Sequence, residues 1–71
     1  MEKIKGWRNI IGEDARNEEN LAFEIWQEKT LVCIIRKKKT GLTITWYKSD
    51  KEIEIPFDWF FDAMQEAKER I

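Results

Sequence analysis

The chain of 71 residues has no histidine, one cysteine and one proline. Each shortage narrows the available chemistry. Without histidine it lacks the commonest general base near neutral pH and the commonest zinc ligand. A single cysteine, Cys33, permits no intrachain disulfide and no thiolate metal site, whereas a secreted domain of this size ordinarily carries several cysteine pairs. Cys33 lies in an apolar run without a basic partner, so it reads as a small core group rather than a nucleophile. No Gly-rich phosphate loop and no calcium-loop spacing occurs. Glu52 and Glu54 share one face of a short predicted strand, where they read as charges guarding a sheet edge rather than as an acid–base pair. No apolar run approaches the ~18–20 residues that span a bilayer. No apolar stretch of the signal-peptide kind follows Met1 to Lys5. These absences predict a soluble, non-enzymatic domain with no cofactor, no metal and no membrane association. Its expected location is the cytoplasm of a prokaryotic or virus-infected cell.

Against these shortages stand four tryptophans and an apolar fraction of 42%, enough for a packed core in one domain over 1–71. A chain this short buries only about 60% of its unfolded surface, so its core is thin and a second subunit is a natural source of further burial.

Periodicity divides the chain into 1–20, 21–55 and 56–71. In 2–11, Ile4, Trp7, Ile10 and Ile11 recur at helical spacing ahead of Gly12, which predicts a short amphipathic helix, with a first strand as the alternative. Residues 12–20 hold no large apolar side chain and read as a polar loop. Residues 21–28 alternate, with Leu21, Phe23 and Ile25 on one face and Trp26 on the other. Residues 30–36 are apolar on both faces, as in a central strand. A turn over 37–41 uses Gly41. A strand over 42–48, a turn over 49–51 and a short strand over 52–55 follow. Pro56 then starts a helix on which Phe57, Phe60, Phe61, Met64, Ala67 and Ile71 form a stripe and Trp59 lies off it. Asp58 and Asp62 near its start, and Lys68 and Arg70 near its end, suit the helix dipole. The predicted fold is α+β: an antiparallel meander of about four strands with the C-terminal helix packed on one face.

Charge is nearly balanced overall, at −1, but unevenly spread. Residues 29–51 hold seven basic groups against one acidic. Residues 12–28 hold six acidic against one basic, and 52–71 six acidic against two basic. Within the basic stretch, Arg36, Lys37, Lys38 and Lys39 mark a hairpin, and Trp46, Tyr47 and Lys48 follow on the next strand. Cationic groups beside flat rings suit single-stranded nucleic acid, whose phosphates take the charge and whose unpaired bases stack. Tyr47 is the better exposed ring, because Trp46 shares a face with Leu42 and Ile44. The candidate nucleic-acid-binding residues are therefore Arg36, Lys37, Lys38, Lys39, Tyr47 and Lys48.

Large apolar groups also exceed what one small core hides. Trp59 lies off the helix stripe, and Trp26, Val32 and Ile34 lie on the sheet face away from Phe23 and Ile25. Either the N-terminal segment or a partner covers them. Trp26, Trp59, Phe60 and Met64 are the candidate interface residues of a homodimer.

The order of 23–71 resembles the positive cofactor four (Whirly-like) family of single-stranded DNA-binding coactivators. The likeness runs through Phe23, Glu24 and Ile25, then 32–36 with the basic turn 37–41. It continues through Leu42, Thr43, Ile44, Thr45, Trp46 and Tyr47, then 52–56 leading into the last helix. It implies a four-stranded curved sheet followed by a helix, dimerisation through that helix, and DNA contacts at Arg36, Lys37, Lys38, Lys39, Tyr47 and Lys48. The competing expectation is an inhibitor encoded by a phage or mobile element. It would present acidic flanks, with Glu18, Glu19, Glu66 and Glu69, to a host defence protein, toxin or enzyme. A small-ligand binder with a cleft at a dimer seam is a further alternative.

Overall fold

Alternation, not helical spacing, governs the N-terminal segment. The computed structural model describes residues 4–14 and 16–71, without the side chains of 17–19. From Trp7 onward the chain is a strand, β1 (Trp7–Asp14), whose residues alternate between half-buried and exposed from Trp7 to Gly12 and which ends on the buried Asp14. The helix expected over 2–11 is replaced by this strand; residues 2 and 3 of it lie outside the described region. Gly6, at φ +87°, turns the chain into β1, and its carbonyl accepts from the Glu28 N–H at 2.7 Å. Ile4, Trp7 and Ile11 still reach the core, which is why their spacing imitated a helix.

The polar stretch 12–20 is not a loop. It forms the end of β1, a turn at Arg16 and the start of β2 (Asn17–Gln27). Pairing runs in register from Trp7 opposite Gln27 to Glu13 opposite Leu21, then shifts before Asp14 opposite Asn17. The ladder hydrogen bonds override the weak strand preference of Gly, Glu and Asn. β3 (Thr30–Lys38) and β4 (Gly41–Trp46) complete an antiparallel meander in the order β1-β2-β3-β4. Lys39 and Thr40 form the tight β3–β4 turn, and Gly41 leaves it at φ +121°, a conformation costly for a residue with a Cβ. The expected strand over 52–55 is absent. The chain leaves the sheet after Trp46 and crosses to the helix, so Ile53 and Ile55 are half-buried without a strand partner.

Helix α1 (Phe57–Arg70) starts at Pro56, with Asp58 in its first turn and Lys68 and Arg70 in its last. Its buried face is Trp59, Ala63 and Ala67, not the Phe-rich stripe. The two alanines admit the helix closely onto Phe23, Ile25, Cys33 and Ile35. Trp59, 4% exposed, fills the gap toward β1 with its ring centroid 5.6 Å from that of Trp7. Trp59 is thus a core residue and not an interface residue. Phe60, Met64 and Ile71 pack against the same core, while Phe57 and Phe61 remain exposed. β3 is buried on both faces, as its sequence predicts. No helix among the described residues is long and apolar enough to cross a membrane.

Candidate functional site

The sheet has a helix-covered face and an open one. Strand pairing sorts the residues. Arg8 lies opposite Trp26, Ile10 opposite Glu24, Glu24 opposite Ile34, Ile34 opposite Thr45, and Arg36 opposite Thr43, all on the open face. The N-terminal segment joins the sheet as an edge strand, so it does not cover this face. Trp26 is half-buried there, with the Arg8 guanidinium 5.2 Å from its ring and its indole N–H donating to Glu24 Oε1 at 3.0 Å.

Arg36 ends the buried part of β3 and is only 6% exposed. Its Nε donates to Asp14 Oδ1 at 3.2 Å and its guanidinium donates to Thr45 Oγ1 at 3.4 Å. Burial works against its charge, but Tyr47 and Asp14 outweigh that and raise its pKa above the usual arginine value. Asp14 also accepts the Arg16 backbone N–H at 2.9 Å, an Asx turn that closes the β1–β2 connection. That hydrogen bond holds the Asp14 carboxyl below its ordinary pKa; burial opposes it and Arg36 reinforces it.

Around this pair opens a groove of about 660 Å³ where the β1–β2 and β3–β4 turns meet. It is lined by Arg16 and, at the start of β2, Asn20 on one side, and by Lys37 and Lys38 at the end of β3 with Lys39 and Thr40 of the turn on the other, together with Asp14 and Arg36. The Asn20 amide spans the walls, donating to the Lys37 carbonyl at 3.4 Å. The three lysines are exposed. Among the described residues the one carboxylate lining the groove, Asp14, is paired with Arg36.

Of the six residues singled out for nucleic acid, Arg36, Lys37, Lys38 and Lys39 line this groove. Tyr47 and Lys48 follow β4 at its far end, where the Tyr47 N–H donates to the Val32 carbonyl at 3.0 Å. Tyr47 is 40% exposed and reaches the open face beside Arg36. Sequence reasoning missed Asp14, Arg16, Asn20 and Thr40. The usable signal was the Asp-x-Arg turn, concealed once 12–20 read as a structureless loop. Among the expected interface residues, Phe60 and Met64 are half-buried against the core, and Phe60 lies 5.8 Å from Trp46 between ring centroids. Of the acidic residues, Glu66 pairs with Arg70 at 3.0 Å and Glu69 is exposed, while the side chains of Glu18 and Glu19 lie outside the described region.

Cys33 is fully buried in the core, and burial pushes its thiol pKa up to about 11. A scan of protein-family models found no match to the chain, and neither the curated proteins nor the solved structures gave one.

Proposed function

We propose that the protein is a non-enzymatic binding protein whose basic groove takes the sugar–phosphate backbone of single-stranded nucleic acid. The observation that carries this reading is the convergence of Arg16, Lys37, Lys38 and Lys39 on one groove, where Asp14, the one lining carboxylate among the described residues, is paired with a buried arginine. Exposed lysines on a groove wall release counterions when phosphate enters, which favours binding of any sequence. The open sheet face carries two rings on which unpaired bases stack, Tyr47, exposed beside Arg36, and Trp26, half-buried. Arg36 acts here as a positioning residue: tied to Asp14 and Thr45, it fixes the end of β3 from which the lysines project.

The test is a tryptophan-fluorescence titration with a mixed-sequence single-stranded oligonucleotide and with the matching duplex. The reading expects a response to the single strand that weakens with salt, and that Tyr47→Ala reduces more for the single strand than for the duplex. No response at low salt would remove it.

A second reading rests on α1. Asp58, Asp62 and Glu69 are exposed along its outer side, away from Ala63 and Ala67. An acidic ridge of this kind suits a basic protein surface, as an inhibitor of a host protein would require. Neutralising Asp62 and Glu69 would weaken capture of such a partner while leaving oligonucleotide binding unchanged.

A further inference from the structure

β4 is an edge strand without protection. Edge strands ordinarily carry lysine, proline, a bulge or a covering element, because their free N–H and C=O groups template pairing with another chain. β4 reads Gly-Leu-Thr-Ile-Thr-Trp, with no charge and no proline. It pairs in unbroken register with β3, and among the described residues no other backbone hydrogen bond reaches it. The opposite edge, β1, carries Arg8, Glu13, Asp14 and a register shift.

The ladder identifies which groups of β4 are free. The turn at Lys39 and Thr40 makes Lys38 and Gly41 a hydrogen-bonded pair, and the Tyr47 bond to Val32 continues the same alternation. Thr43 and Thr45 therefore direct their backbone groups at β3, and Leu42, Ile44 and Trp46 direct theirs outward. These three residues also carry exposed apolar side chains, at 41%, 40% and 54% exposure.

We propose that β4 pairs antiparallel with β4 of a second copy, about a twofold axis at Ile44, joining two sheets into one. Ile44 then faces Ile44 of the other copy, and Leu42 faces Trp46. All three are outward-directed residues, so their free backbone groups satisfy one another, and each exposed apolar side chain gains an apolar cross-strand neighbour. On the open face Thr43 meets Thr45. No like charges meet along the strand. The helix contributes on the same side. Phe60 touches Trp46, and Ile71 and Lys68 flank Leu42, so α1 runs beside β4. The next positions around the helix are Phe57 and Phe61, 79% and 47% exposed and mutually stacked at 6.4 Å. In the paired dimer a second α1 would cover them.

The same axis places Tyr47 and Lys48 of the second copy beside Gly41 and Thr40, at the mouth of the lysine-walled groove. Each groove thereby gains a second Tyr47 and Lys48, contributed by the other copy. The pairing itself does not depend on what the groove binds.

The test is sedimentation velocity of the full chain across micromolar concentrations, with three variants. Wild type is expected to be a dimer. Ile44→Lys sets two ammonium groups opposite each other and is expected to weaken association at least about tenfold while preserving the circular dichroism of wild type. Ile44→Cys places the two introduced thiols on residues whose Cα atoms are about 5.5 Å apart, within disulfide range, and is expected to oxidise to a covalent dimer. Ile10→Cys, on the opposite edge, is expected to stay uncrosslinked; buried Cys33 does not compete. A monomeric wild type, a dimer unaffected by Ile44→Lys, or crosslinking through position 10 in place of position 44 would each overturn the proposal. Should Ile44→Lys fail to fold, the crosslinking pattern decides alone.

Discussion

Asp14 and Arg36 form a buried ion pair that spans the sheet, joining the end of β1 to β3 over the intervening β2, with 3.2 Å between Oδ1 and Nε and side chains 4% and 7% exposed. Removing one partner strands the other charge out of water. Asp14→Ala is expected to destabilise the fold more than Arg36→Met, which replaces the cation with an apolar group of similar length. Urea unfolding of the two variants checks the order.

The pair also predicts a pH window. Asp14 has a folded-state pKa below its ordinary value of 3.8, so its contribution is complete above that value and is lost as pH falls through the folded pKa. The stability gap between wild type and Asp14→Asn should be constant from neutral pH to about pH 5, then narrow below about pH 4. Urea midpoints measured between pH 7 and pH 2.5 read this directly. A gap that widens on acidification would assign the wrong sign.

Trp59 and Phe57 belong to the same helix and make opposite predictions. Trp59→Ala empties a core site that is 4% exposed and should cost about 3–5 kcal/mol. Phe57→Ser alters a side chain that is 79% exposed and should shift the urea midpoint little at concentrations low enough to keep the chain monomeric.

These two residues show where the sequence was legible and where it misled. Strands over 21–28, 30–36 and 42–48, the Lys-rich turn and the helix after Pro56 were all readable, because alternation and turn chemistry are local. The helix face was not. Four large apolar residues, Phe57, Phe60, Phe61 and Met64, outweighed Trp59 in any count. Yet close packing selected the small residues Ala63 and Ala67 for contact and turned Trp59 inward beside Trp7. β1 was concealed because its inward residues, Trp7 and Ile11, also fit helical spacing. Once 12–20 read as a loop, the pair between residues 14 and 36 had no sequence signature, since it exists only when β1 and β2 are laid side by side. The basic half of the groove was visible as a charge run; Arg16 and Asn20 were not.

Cys33 is expected to be inert in the folded protein. Full burial and a thiol pKa near 11 leave almost no thiolate and no access at pH 8. Maleimide or iodoacetamide should label it only in denaturant, at a rate matching a free cysteine. Rapid labelling of the native chain would place the thiol at the surface.

The proposed function turns on whether the lysine-walled groove holds phosphates, and the most direct measurement is the salt dependence of binding. Anisotropy of a labelled single-stranded oligonucleotide would be followed from low to moderate salt with wild type and with Lys38→Glu. Affinity is expected to fall steeply with salt for wild type. Lys38→Glu should bind more weakly at low salt and have a log–log slope shallower by about one or more. Binding with the same slope and affinity in both proteins, or no binding by wild type at low salt, would contradict it.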